Sequence, residues 1–138
     1  MATAEIRDTI FNGTAMLGVR LTIGVIFIAH GITKFNPGFA GFLESNSIPL
    51  WLHYPIALGE FIPGILLIVG ILSRMSGAVI AAIMLGAILV VHGTSALIGD
   101  DGIEFQLMLL ATCLLIMVAG PGRLSIARFA GMLPRWLH

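Results

Sequence analysis

Charged side chains are scarce in this chain of 138 residues. It has seven Lys and Arg residues and seven Asp and Glu residues, which together make up 10% of the sequence. An ordinary soluble domain carries about 25% charged residues, so this chain lacks the polar surface that water requires. The two signs cancel, which excludes a basic nucleic-acid-binding protein and an acidic tail. The remaining composition, 58% apolar with a mean hydropathy of +1.05, is typical of a membrane protein.

Cysteine is also nearly absent. The single thiol, Cys113, cannot form a disulfide within the chain or a Cys-x-x-Cys redox pair. We therefore expect no dithiol chemistry within one subunit, and we predict that Cys113 packs inside a helix bundle.

Four apolar runs have the length of a membrane span, which is about 17 to 25 residues. Turn signals rich in Gly, Pro, Asn and Asp fall between most of these runs. The sequence predicts an all-α integral membrane four-helix bundle, with spans at about residues 16–34, 55–72, 76–93 and 103–120. The spans and their short connections use nearly the whole chain. We therefore predict one transmembrane domain over residues 1–138, without a separate soluble catalytic domain.

The positive charges predict the orientation of the bundle. With an even number of spans, both tails and the second connection lie on one side of the membrane. That side would carry six of the seven basic residues, while the opposite side would carry only Lys34. The positive-inside rule therefore predicts that both termini are cytoplasmic. The six residues are Arg7, Arg20 (just inside the first span), Arg74, Arg123, Arg128 and Arg135.

The segments outside the spans are predicted to lie at the membrane interfaces. Residues 121–138 mix arginines and Trp136 with apolar residues, as a short amphipathic segment at headgroup level does. Ile6 and Ile10 suggest a similar short helix in the N-terminal tail. The external loop 36–54 either forms an aromatic belt or caps an outward-facing pocket. Its aromatic residues are Phe39, Phe42, Trp51 and Tyr54.

Small residues at helical spacing predict where helices pack closely. Ala78, Ala82 and Gly86 recur every four positions along the third span, a pattern that allows close approach of two backbones. Gly24 and Gly31 are expected to do the same for the first span. We read both patterns as packing within the bundle.

Five ionisable residues inside the predicted spans are the candidate site. A charged group in hydrocarbon costs about 2.5 to 3.5 kcal/mol on insertion scales, so each one calls for a partner or a role. At about 1.5 Å per residue, all five lie in the outer part of the bilayer. We predict that they line a polar pocket in the outer half of the bundle, in which Glu60 exchanges protons with a neighbour. The five residues are His30, Lys34, Glu60, His92 and Glu104.

Several short motifs at the ends of the spans resemble the DoxX family. They are His30-Gly31-Ile32-Thr33-Lys34-Phe35, Glu60 followed by Gly64 and Gly70, then Arg74, and finally Gly120-Pro121-Gly122-Arg123-Leu124-Ser125. The resemblance covers about residues 16–127. It departs from the family at Ala127, where an acidic residue is common, so any role of that carboxylate is absent here.

The resemblance implies a four-helix membrane bundle with both termini in the cytoplasm, here of a prokaryotic plasma membrane. It also implies membrane redox chemistry, because family members are associated with a terminal quinol oxidase and with thiosulfate:quinone oxidoreductase.

Three classes of function remain open. In the first, the chain is the quinone-interacting membrane subunit of an oxidoreductase system, with an apolar slot and proton-donating groups at the quinone carbonyls. The electrons would come from a redox partner, because the chain has no recognisable flavin, iron–sulfur or nicotinamide motif, so it is not a complete enzyme alone. In the second, it is a non-catalytic scaffold or anchor of a larger membrane complex. In the third, it binds or transports a small ligand, and transport would require a homodimer.

Metal or haem binding is weighed as an alternative use of the same residues. His30 and His92 could supply two axial haem ligands, and together with Glu60 and Glu104 they could bind zinc or iron. These residues lack a local spacing such as Glu-x-x-His. We therefore expect no metal or haem, and a quinone is the cofactor that the sequence favours.

Overall fold

The computed structural model describes residues 9–94 and 96–127, and every regular element in these ranges is helical. The helices are α1 (Ile10–Lys34), α2 (Gly38–Ser45), α3 (His53–Val69), α4 (Ser73–Gly86) and α5 (Glu104–Ala119), with a 3₁₀ turn at Leu50–Leu52 before α3 and a π-helical turn at Ala87–His92 after α4. The predicted all-α bundle is confirmed.

Among the described residues, three helical segments are long and apolar enough to cross a membrane, namely Ile10–Lys34, Leu50–Val69 and Ser73–His92. The first of them begins six residues before the predicted start at residue 16. α5 occupies the predicted fourth span, but it has only 16 residues. At about 1.5 Å per residue it is roughly 24 Å long, which is shorter than the hydrocarbon core of a bilayer.

The helices end where the sequence supplies caps and turn residues. The hydroxyl of Thr9 accepts a hydrogen bond from the backbone N–H of Asn12 at 3.3 Å and so caps α1. Gly70 and Gly120 have positive φ values of 79° and 76°, which L-residues with side chains rarely adopt, and they terminate α3 and α5.

Most of the two predicted interfacial tails lies outside the described residues. The tail residues that are not described include Ile6 and Arg7 at the N-terminus, and Arg128, Arg135 and Trp136 at the C-terminus.

Glycines bring α1 and α3 into close contact. A methyl group on Gly24 would lie 2.7 Å from the carbonyl oxygen of Gly64, and one on Gly31 would lie 2.8 Å from the backbone nitrogen of Phe61. Real Cβ atoms do not approach other atoms so closely, so both positions require glycine. The packing predicted for Gly24 and Gly31 is present.

The small-residue stripe of the third span does not pack inside the bundle. Ala82 and Gly86 are exposed, and a methyl group on Gly86 would meet nothing within 4 Å. α4 instead turns Gly77, Ile80 and Met84 inward. A methyl group on Gly77 would lie 3.0 Å from the carbonyl oxygen of Cys113 in α5. Our prediction for this face was wrong because spacing identifies a stripe of small residues, but not the direction in which the helix turns it.

Residues from all four long helices form the core. Cys113 is fully buried in it, as predicted from its apolar surroundings. α1 packs extensively on α3, α3 on α4, and α4 on α5, whereas α1 and α5 make few contacts. The buried members are Ile23, Phe27, Leu67, Ile80, Ala81, Met84, Leu109, Cys113 and Ile116.

One end of the bundle, which we call the Arg20 end, is held together by a buried arginine. Arg20 is fully buried and donates hydrogen bonds to the carbonyl oxygens of Leu67 at 2.9 Å, of Ile68 at 3.5 Å, and of Leu124. The first two carbonyls belong to the last turn of α3, where a helix leaves carbonyls unpaired and favours a cation. Arg20 therefore joins α1, α3 and the segment after α5.

The Gly120–Ser125 motif closes the same end. Gly120 and Gly122 have positive φ values, and the Ser125 hydroxyl donates to the carbonyl oxygen of Gly122 at 3.1 Å. A methyl group on Gly122 would lie 3.1 Å from Cβ of Met16, and one on Gly13 would lie 3.0 Å from Cβ of Arg123. The motif thus folds back against α1. Pro121 lies between the two glycines of this turn, and Arg74 lies half-buried in the first turn of α4.

Candidate functional site

A cavity of about 350 Å³ lies at the opposite end of the bundle, where α1 ends and α5 begins. We call it the cavity end. This volume falls within the usual range for small-molecule sites. All five α-helices and the π-helical turn contribute to the wall, and most of the lining residues are apolar. The polar residues in the wall are His30, Lys34, Glu60, His92 and Gln106.

Lys34 and Glu60 form an ion pair in this wall. The Lys34 ammonium lies 2.5 Å from Oε2 of Glu60, whose side chain is 1% exposed, while that of Lys34 is 19% exposed. The pair links the last residue of α1 to the middle of α3. Because a polar group buried without a partner is unfavourable, Lys34 is the partner that compensates the burial of the Glu60 carboxyl group beside the cavity.

His53 holds the backbone of Lys34 in this ion pair. Its Nε2 donates a hydrogen bond to the carbonyl oxygen of Lys34 at 2.8 Å, one of the unpaired carbonyls at the end of α1. The His53 ring is 9% exposed and lies 5.3 Å from the ring of Phe39 in α2. His53 thereby fixes the backbone from which the Lys34 side chain projects.

A second polar pair, His92 and Gln106, belongs to the other side of the bundle. Nδ1 of His92 lies 3.1 Å from the carbonyl oxygen of Ala87, and Nε2 of Gln106 lies 3.0 Å from Nε2 of His92. A carbonyl oxygen only accepts, so Nδ1 of His92 is the donor to Ala87, and the Gln106 amide is the partner of the other ring nitrogen. The π-helical turn carries His92, and such turns recur at functional sites.

His30 has a different environment from the other polar residues of the wall. Its ring lies between Phe27 and Phe105, with centroid distances of 6.3 Å and 6.2 Å, and it is nearly parallel to that of Phe105 at 26°. Within the described part of the chain, no side chain or carbonyl bonds to its ring nitrogens. The residue is exposed and lines the cavity at the same time.

Glu104 lies outside the cavity. It is the exposed first residue of α5, where a negative charge is favourable at the N-terminus of the helix, and the next residues, Phe105 and Gln106, line the cavity instead. The structure therefore groups four of the five predicted residues in one cavity wall and leaves Glu104 apart. Across residues 9–94 and 96–127, no three His, Cys, Asp or Glu side chains are placed to share a metal ion.

The loop between α1 and α3 covers the cavity with α2. Phe39, Phe42 and Leu43 of α2 line the cavity, and Leu43 is fully buried. Trp51 and Tyr54 are exposed and do not line it. Part of the loop therefore caps a cavity, and the aromatic belt stays a prediction for Trp51 and Tyr54.

Gln106 and His53 are the site residues that the sequence did not single out. Gln106 is uncharged, so a search for ionisable groups within the spans passes over it. His53 lies just before the predicted second span, and a histidine at a helix start has no distinctive pattern. One signal was available for Gln106, because it is the only amide side chain within the fourth apolar run.

Comparison with known proteins confirms the resemblance to the DoxX family. The model of that family matches residues 15–93, which include the motifs around His30, Glu60 and Arg74 and end before Gly120–Ser125. The chain is similar to a Bacillus subtilis protein named "Putative oxidoreductase CatD", with 33% identity over 119 residues that cover 85% of this chain and 86% of that protein. It is also similar to an uncharacterized protein of Haemophilus influenzae, with 29% identity over 125 residues, or 83% of this chain and 82% of that one. No solved structure matches the chain.

Proposed function

Because this chain belongs to the DoxX family of membrane proteins, we propose that it is the quinone-interacting membrane subunit of an oxidoreductase system. The observation that carries the proposal is the buried Lys34–Glu60 ion pair in the wall of an apolar cavity between membrane helices. The printed name of the Bacillus subtilis relative supports oxidoreductase chemistry.

The volume and lining of the cavity fit the chemistry of a quinone. A quinone has a flat apolar ring with two carbonyl oxygens, so its site needs apolar walls and a few hydrogen-bond donors. Apolar walls are supplied by Phe27, Phe39 and Phe105, among others. Donors are available in the Lys34 ammonium and the His30 ring, which line the same cavity.

The same residues fit proton exchange. A quinone that takes up two electrons also takes up two protons, and a bound carboxyl group or imidazole can deliver them. Glu60 and His30 are groups in the wall with this capacity, while both ring nitrogens of His92 already have partners in Ala87 and Gln106. In this proposal the electrons come from a partner protein.

The test is equilibrium binding of short-chain benzoquinones and naphthoquinones to the purified protein in lipid nanodiscs. Ala87 lines the cavity and Ala82 is exposed on the same helical segment, so they make a matched pair. We expect Ala87→Phe to fill the cavity and weaken quinone binding by about tenfold or more, equivalent to ~1.4 kcal/mol. Ala82→Phe should bind like the unaltered protein. Equal affinity in both variants would overturn the proposal.

A scaffold function is the second candidate, and one observation favours it. Ala78, Ala82 and Gly86 form a small-residue stripe whose last two members are exposed, which suits docking of a second membrane helix. If this is the function, no quinone binds, and Ala82→Phe rather than Ala87→Phe reduces recovery of the partner complex from membranes.

A further inference from the structure

We propose that the cavity takes up its ligand sideways from the bilayer, through the seam between α1 and α5, and that Phe105 controls this passage. The proposal deepens the proposed function and rests on the cavity being the ligand site. It assigns the ligand to molecules that dissolve in the membrane, and it excludes a water-soluble substrate that arrives from the aqueous side.

The seam between α1 and α5 is the loosest junction among the long helices. α1 packs along α3 and α5 along α4, but α1 and α5 hardly touch one another. At the Arg20 end, the segment after α5 fills the seam, because Gly122 packs on Met16 and Arg123 packs on Gly13. At the cavity end, the described contact across the seam is the stacking of His30 on Phe105.

The stacked pair forms part of the cavity wall at the seam. His30 and Phe105 both line the cavity and are both exposed, Phe105 by 47%. Elsewhere the lining varies: Leu43 in α2 is fully buried, whereas Phe42 in α2 and Val90 in the π-helical turn are exposed by 43% and 58%. Because Phe105 lies at the loosely packed seam, rotation of its side chain would open the cavity toward the surroundings of α1 and α5.

The exposed surfaces of α1 and α5 carry large apolar side chains. Met108, one turn after Phe105 on α5, is 68% exposed, and Val25 on α1 is 59% exposed. In a membrane, such a surface faces lipid chains rather than water. A molecule with an apolar body can approach the seam through the bilayer, whereas a charged molecule cannot.

His30 is the first polar group that such a molecule would meet. Its ring nitrogens lack partners within the described residues, and an unpaired polar group in hydrocarbon is unfavourable. A ligand with a polar head would satisfy the imidazole as it passes Phe105 and would then reach the Lys34–Glu60 pair. The position of His30 thus favours amphiphiles over pure hydrocarbons.

The test measures access to the cavity without a quinone. Ala87→Cys places a thiol in the cavity wall, and the parent chain, whose one cysteine is the buried Cys113, serves as the blank. The protein in nanodiscs is treated with benzyl methanethiosulfonate, which partitions into membranes, or with the charged sulfonatoethyl methanethiosulfonate. Ala82→Cys on the exposed face of α4 reports the access of each reagent to the lipid-facing surface.

Three further substitutions, each combined with Ala87→Cys, identify the route. Phe105→Ala opens the seam, Phe42→Ala opens the roof formed by α2, and Leu107→Ala is the matched control on α5, because Leu107 is exposed like Phe105 but does not line the cavity. Phe105→Leu is a milder variant. An unlabelled Cys113 shows in every sample that the bundle is folded.

We expect the benzyl reagent to label Ala87→Cys and the charged reagent to leave it unmodified. Phe105→Ala, and to a smaller extent Phe105→Leu, should accelerate labelling by the benzyl reagent several-fold, and Leu107→Ala should not. The proposal is overturned if the charged reagent labels the cavity thiol as fast as the benzyl reagent. It is equally overturned if Phe42→Ala accelerates labelling and Phe105→Ala does not. If the labelling pattern is as expected but no quinone binds, the proposed function is contradicted and the lateral route into the cavity is not.

Discussion

The two ends of the bundle use cations in opposite ways. At the Arg20 end, the partners of the guanidinium among the described residues are backbone carbonyl oxygens, so Arg20 joins three parts of the chain. At the cavity end, the Lys34 ammonium pairs with the carboxyl group of Glu60 and faces a cavity. A cation that satisfies carbonyls at a helix end stabilises the fold, whereas one paired with a carboxylate beside open space can exchange hydrogen bonds with a ligand.

The comparison extends to the seam between α1 and α5. The Gly120–Ser125 motif packs on α1 at the Arg20 end, whereas at the cavity end the described contact across the seam is the exposed pair of rings of His30 and Phe105. The short motifs noted in the sequence therefore divide between two tasks. Gly120, Gly122 and Ser125 hold the fold, while Lys34 and Glu60 belong to the candidate ligand site.

Removing Arg20 gives the largest expected change in stability. Arg20→Ala leaves the carbonyl oxygens of Leu67 and Leu124 without their donor, and hydrogen bonds to a charged group contribute about 1.5 to 3 kcal/mol each. We expect the free energy of unfolding to fall by about 3 kcal/mol. Thermal unfolding in detergent can be followed with a thiol-reactive dye, since Cys113 is buried in the folded state.

Arg20→Lys keeps the charge but not the fork of donors, so its stability should lie between those of the parent and Arg20→Ala. The folded fraction of each variant should bind quinone with unchanged affinity. A loss of quinone affinity without a loss of stability would break the distinction between the two ends.

Overpacking the close contact between α1 and α3 is expected to give the next largest loss of stability. Gly24→Ala forces a methyl group against the carbonyl oxygen of Gly64, and overpacking of this kind costs about 1 to 3 kcal/mol. Gly18→Ala is the matched control on the same helix, because a methyl group there meets nothing within 4 Å. It should leave the melting temperature unchanged or raise it slightly. Equal melting temperatures of the two variants would show that this junction is no tighter than the seam between α1 and α5.

Of the substitutions considered, Gln106→Leu is expected to give the smallest change in stability. Its amide oxygen is buried without a donor among the described residues, and its amide nitrogen bonds to His92. Gln106→Leu removes both, so we expect the free energy of unfolding to change by less than about 1 kcal/mol. Quinone affinity should fall several-fold because His92 loses the group that orients it. A large loss of stability with unchanged quinone affinity would show that Gln106 stabilises the bundle and does not contribute to ligand binding.

Much of the fold could be predicted from the sequence. Apolar runs and turn residues located the helices, and the glycines at positions 24 and 31 of α1 marked the contact with α3. The direction in which each helix faces could not be predicted, because hydrophobicity all round a membrane helix leaves no polar face to orient it. That is why the Ala82 and Gly86 face of α4 was assigned to the interior although it is exposed.

The level of the candidate site along the helices could be predicted from the sequence, but not which side chains share one cavity wall. The level of His30, Lys34, Glu60 and His92 along the helices follows from rise per residue, and the structure places all four in one cavity wall. Glu104 lies at the same level but outside the cavity. It precedes the cavity-lining Gln106 by two positions, which turn its side chain by about 200° around α5. Arg20 was predicted to lie just inside the first span. Because α1 begins six residues earlier than its apolar run suggested, Arg20 lies further along the helix and is fully buried.

The measurement that tests the account most directly compares quinone affinity in Glu60→Gln and Glu104→Gln. Both replace a carboxylate by an amide near the cavity end, but Glu60 is buried in the cavity wall and Glu104 is exposed outside it. We predict that Glu60→Gln weakens binding of a short-chain quinone by about tenfold, equivalent to ~1.4 kcal/mol, with both variants folded by the Cys113 dye assay. Glu104→Gln should match the parent protein. Equal affinities in the two variants would contradict the assignment of the cavity end as the quinone site.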